Sequence, residues 1–148
     1  MEDFLTADSY FSKSEFYNLH KSFGVVIFAL VLYRIINRFI NKPPALPLSI
    51  NKIERSFAHL GHLSLYLLMV FIPLSGYLMS NSYGYSVKLF TIELPNLVAK
   101  NYEIAPIFKA LHVNLSFLLI GIIVLHIIAT IRHQYFDKKE NDILQRMV

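Results

Sequence analysis

The chain has 148 residues, 55% of them hydrophobic and 16% charged, with a mean hydropathy of +0.46, which is too apolar for an ordinary soluble domain and points to a membrane protein. Cysteine is absent, which excludes disulfides, thiolate metal sites, cysteine-ligated iron–sulfur clusters and covalent haem attachment. The formal charge of +4 does not indicate nucleic acid, because the Lys and Arg flank apolar runs and form no isolated basic block.

Three segments are long enough to cross a bilayer, which takes about 20 mostly apolar residues. The first runs from about Leu19 to Ile40. Arg34, Asn37 and Arg38 interrupt its second half, near the end where long cationic side chains snorkel to the headgroups. The second runs from about Ser56 to Ser80, with no acidic or basic residue between Arg55 and Lys88. Pro73 and Gly76 in "FIPLSG" suggest a bend, which neighbouring helices support in lipid. The third runs from about Ile107 to His133 and is uncharged from Ala110 to Ile131. The expected fold is an all-α membrane protein, one transmembrane helical bundle over residues 1–148 with three spanning helices.

The loops predict the orientation. Arg34, Arg38, Lys42, Lys52, Arg55, Arg132, Lys138, Lys139 and Arg146 fall on one side, and Lys13, Lys21, Lys88, Lys100 and Lys109 on the other, nine against five. By the positive-inside rule the C-terminus is cytoplasmic and the N-terminus outside. The opening "MEDFLTADSYFSKSEF" carries no signal peptide that would export it, so a further helix upstream is expected.

Six histidines occur: His20, His59, His62, His112, His126 and His133. His112 and His126 bracket the apolar run "HVNLSFLLIGIIVLH"; fourteen residues leave two rings about 40° apart around a helix and about 21 Å apart along it. They face one way at different depths. His20 and His112 both fall near the outer surface, so they pair by depth, with space for a flat cofactor between them. Gly24, one turn after His20, lets a macrocycle approach, although helix packing explains it equally well. Arg34 presents a cation at nearly the depth of His126, suited to a haem propionate or to snorkelling alone. Imidazoles spread over two helices, without thiolates, suit an axially ligated iron porphyrin better than zinc, which needs three or four close ligands. "HLGH" at His59–His62 is the nearest approach to a zinc-like cluster and lies at the inner end of the second helix.

In order, "LHKSFG", "LYRIINR", "AHLGHLSLYLLMVFIPLSG", "LHVNLSFLLIGIIVLH", "RHQYF" and "LQRM" resemble the bacterial cytochrome b561 family of small di-haem membrane electron carriers, which includes superoxide:quinone oxidoreductases. The resemblance covers roughly Tyr17 to Val148. It implies that His20 and His112 ligate an outer haem b and His126 an inner one, in the bacterial inner membrane. Family members carry four helices, and the other inner ligand sits on an additional first helix that this sequence lacks. One haem is therefore expected, or two if the inner site is completed, with His62 as a substitute ligand. The implied activity is one-electron transfer from an external donor, superoxide among them, to quinone. His133 is a candidate to bond a quinone carbonyl or relay a proton, and an interfacial histidine satisfied by water is the plainer reading. Lys88, Lys100 and Lys109 are placed to steer an anion, or are ordinary loop charge. Two other functions remain open: a haem-bearing anchor for a soluble redox subunit of a dehydrogenase or hydrogenase, and a haem-free membrane protein whose histidines relay protons or pack helices.

Overall fold

The computed structural model describes residues 3–41 and 52–136, with side-chain surroundings for 13–41, 52, 53 and 55–132. The proline-rich turn, the tail after Phe136 and the side chain of His133 lie outside the described residues. Three helices account for nearly all of the described chain: α1 (Asp3–Ile40), α2 (Lys52–Ser82) and α3 (Ala105–Phe136). Each contains a stretch of 28 residues long and apolar enough to cross a membrane: Lys13–Ile40, Arg55–Ser82 and Ala105–Arg132. α1 begins well before the apolar run at Leu19, because the polar segment ahead of it continues the same helix. With three spans, the two ends of the bundle emerge on opposite faces.

α2 is the central element. It packs along α3 and, less extensively, against α1, while α1 and α3 scarcely touch. The interior is made of small and polar side chains. Ser22, Ser75, Ser80, Asn81 and Ser82 are buried together with Val31, Leu68, Val87 and Ala105, whereas Phe39 is 79% and Phe117 70% exposed. In water this arrangement would leave a very large apolar surface wet. In lipid it is the expected one, since small residues let helices approach and large apolar groups face the acyl chains.

The connection from α2 to α3 is an ordered cap over one end of the bundle. Its centre is a two-residue hairpin, β1 (Lys88–Leu89) paired antiparallel with β2 (Ile92–Glu93). Phe90 turns the chain with φ 56° and meets the Phe23 ring of α1 edge to face at 6.2 Å. Ser22 fastens α1 to this hairpin: its hydroxyl accepts the Phe90 N–H at 2.8 Å and lies 2.9 Å from the carbonyls of Lys88 and Asn18. Beside it the Lys21 ammonium donates to the Ser86 carbonyl at 3.2 Å. Gly84 has φ 84°, a left-handed backbone conformation that favours glycine.

Asn81 organises the rest of the cap. Its carbonyl oxygen accepts the Leu97 N–H at 2.8 Å, and its amide donates to Asn96 Oδ1 at 2.9 Å. Tyr77 donates to the Pro95 carbonyl at 2.7 Å. Asn101 begins α3 by accepting the N–H groups of Glu103 and Ile104 at 2.9 and 3.4 Å, which satisfies donors that a helix start leaves open.

Candidate functional site

Two histidine pairs form between helices, at opposite ends of the bundle. At the capped end, His20 of α1 and His112 of α3 face one another with ring centroids 6.1 Å apart and planes at 84°. At the other end, His62 of α2 meets His126 of α3 at 5.3 Å and 65°. Among the described residues no group of three His, Asp or Glu side chains gathers as a metal cage.

His112 is held by α2. Its Nδ1 lies 2.9 Å from the Ile72 carbonyl. A carbonyl only accepts, so Nδ1 carries the proton and Nε2 keeps its lone pair. The ring sits directly against Gly76, where a methyl group would stand 2.9 Å from both Nδ1 and Cε1. The Ser116 hydroxyl donates to the His112 carbonyl at 2.6 Å, and Thr130 does the same for His126 at 2.8 Å, so both histidines of α3 carry the same back-bond one turn on.

The His20 ring is exposed and borders an open cleft of about 510 Å³ lined by Lys13, Phe16, Tyr17 and His20. One turn along α1, Gly24 has open space beside it: a methyl group there would meet no atom within 4 Å. At the opposite end Arg34 and Arg38 lie within electrostatic reach of His62, and the Arg38 guanidinium stands 5.4 Å from the centre of the Tyr66 ring. His59 joins the same neighbourhood.

The spacing of the His20–His112 pair suits an axially ligated haem. Two imidazoles on opposite sides of one metal, each bonded at about 2 Å, have centroids roughly 6 Å apart. The 6.1 Å separation matches that spacing, the helices bearing the rings scarcely touch, and the His112 tautomer offers Nε2. The His62–His126 pair at 5.3 Å is narrower.

The model of the prokaryotic cytochrome b561 family matches residues 2–148. This chain belongs to that family. It is 34% identical over 131 residues to cytochrome b561 homolog 2 of Escherichia coli (strain K12), a match covering 88% of this chain and 69% of the relative. It is 30% identical over 132 residues to the probable superoxide oxidase CybB of Yersinia pestis, covering 87% of this chain and 73% of the relative. Cytochrome b561 membership makes the chain a multi-pass membrane electron carrier of a b-type haem family.

Sequence reasoning placed His20 with His112 by depth, and the two rings do meet. It set His62 at the depth of His126, and those rings also meet. It read "FIPLSG" as a bend and missed that Ile72 and Gly76 seat His112. The glycine three residues after a proline was visible, but its neighbour on α3 was not. It also missed Ser22, whose three partners lie on the cap and on the preceding turn of α1.

Proposed function

We propose that this chain is a b-type cytochrome of the bacterial inner membrane that passes single electrons from a small external donor to membrane quinone. The observation that carries the reading is the His20–His112 pair, spaced at 6.1 Å with the His112 Nδ1 on the Ile72 carbonyl. A haem bound there would supply a one-electron iron couple close to the outer surface. The chain's own residues do the rest. His20 and His112 would hold a haem through their imidazole nitrogens, the open space at Gly24 would leave room for it, and the lipid-facing Phe and Leu side chains keep water from the bundle's flanks.

Lys13 lines the cleft that opens beside His20, where a cation raises the local concentration of an anion. Lys88, Lys100 and Lys109 extend that charge on the same side. Together with the similarity to the probable superoxide oxidase of Yersinia pestis, this supports superoxide as the donor. On the inner side His126 would ligate a second haem only if that site is completed, with His62 the nearest other imidazole. Arg34 is suited to a propionate, and His133 to a quinone carbonyl. The nine-to-five division of Lys and Arg supports a cytoplasmic C-terminus.

The test is spectroscopic. Protein expressed with haem supplied should show a b-type alpha band in a reduced-minus-oxidised spectrum, and His112→Ala should remove the outer haem while sparing any haem at His126. Absence of the band in the unmodified protein, or an undiminished haem content in His112→Ala, would overturn the reading.

A further inference from the structure

We propose that Ile72 and Gly76 of α2 form a positioning socket that sets the orientation and electron-donating strength of the His112 imidazole. The proposal rests on His112 being an axial ligand. It adds a claim about which residues tune that ligand.

Two separate features converge on the ring. The first is the carbonyl of Ile72, which precedes Pro73. Because it belongs to a tertiary amide, this oxygen is more electron-rich than an ordinary peptide carbonyl. It accepts the Ser75 hydroxyl at 2.8 Å as well as the His112 Nδ1–H at 2.9 Å, so two side chains from two helices share one acceptor. A carbonyl partner on the far nitrogen fixes the tautomer of a ligating histidine and raises the basicity of the nitrogen that faces the metal.

The second feature is steric. Among the helical glycines, Gly24, Gly61 and Gly121 have no atom within 4 Å of an added methyl group, but at Gly76 that methyl would press on Cε1 and Nδ1 of His112 at 2.9 Å. Real carbon contacts do not come that close. Any side chain at position 76 therefore pushes the imidazole off the Ile72 carbonyl. Glycine here is a condition for the hydrogen bond and not merely for helix packing. Among the described residues the His126 ring has no such carbonyl partner and meets His62 instead, so the two histidines of α3 are held in different ways.

A ligand made more basic in this way stabilises the ferric state, so weakening the socket raises the midpoint potential. The experiment compares the unmodified protein with Gly76→Ala, Pro73→Ala, Gly121→Ala and His112→Ala. Gly76→Ala should move the outer haem's potential upward, change its largest ferric low-spin g value as the ring rotates, and weaken haem retention about 10- to 100-fold. Pro73→Ala turns the Ile72 carbonyl into an ordinary secondary amide without adding bulk at position 76. It should shift the potential in the same direction by less, with haem retained. Gly121→Ala adds the same methyl on the face of α3 about 180° from His112 and should leave both readings unchanged. Unshifted potential and g values in both Gly76→Ala and Pro73→Ala would overturn the socket; if Gly76→Ala does not accumulate, Pro73→Ala decides by the same two readings. Full haem content in His112→Ala would instead overturn the ligand assignment beneath it.

Discussion

Ser22 shows how a single small residue ties α1 to the cap beside the His20–His112 pair. It lies two positions after His20, is 1% exposed, and joins α1 to the hairpin through the Phe90 N–H and the Lys88 carbonyl. Removing a buried hydroxyl that serves two backbone groups leaves them unsatisfied, at about 1–3 kcal/mol. Ser22→Ala should therefore lower the thermal midpoint and speed hydrogen exchange at the Phe90 amide, while the amides of α2 and α3 stay protected. Protection at Phe90 equal to that of the unmodified protein would show that the hairpin is held by other contacts. Nothing local announces this role: "LHKSFG" reads as the start of a span, and the groups that Ser22 serves are more than sixty residues away.

At the scale of elements, the α2–α3 connection does more than join two spans. Asn81 is 2% exposed and binds Asn96 and Leu97, while Asn101 starts α3 and its N–H returns to the Ser82 carbonyl at 2.9 Å. These contacts fix where α3 begins and hence the height of His112 relative to His20. Asn81→Leu removes the acceptor for the Leu97 N–H and should cost about 1–3 kcal/mol. It should also broaden the ferric low-spin signal of a haem held by His20 and His112, as a less well-seated α3 samples several ring orientations. A spectrum as narrow as that of the unmodified protein, with the expected loss of stability, would show that the cap stabilises without aligning. The spans themselves were legible, because lipid demands a long apolar run and three such runs stand out. The cap was not, because its order comes from Asn, Ser and Tyr side chains reaching across a loop that reads as ordinary turn sequence.

For the whole molecule, the two histidine pairs give a stoichiometry prediction. Of the two, the His20–His112 pair has the roughly 6 Å spacing of imidazoles on opposite sides of one metal, and His62–His126 at 5.3 Å is tighter. The 148-residue chain should purify with a haem-to-protein ratio near one, unchanged by His126→Ala and abolished by His112→Ala. A ratio near two that falls to one in His126→Ala would show that the bundle widens at the His62–His126 end to take a second haem.

The sequence by itself determined the solvent, the helices and the order of the histidines along them. Bilayer thickness and helical rise convert residue number directly into depth, so His20 and His112 were matched without a structure, and so were His62 and His126. Only the tertiary structure decided how far apart the partners stand and what holds them. Separation depends on how closely α1, α2 and α3 approach, and that is set by side chains from distant parts of the chain: the bare backbone at Gly76, the carbonyl before Pro73, and the hydroxyl of Ser22. Depth follows from a one-dimensional count, whereas the gap between two rings is a property of three packed helices.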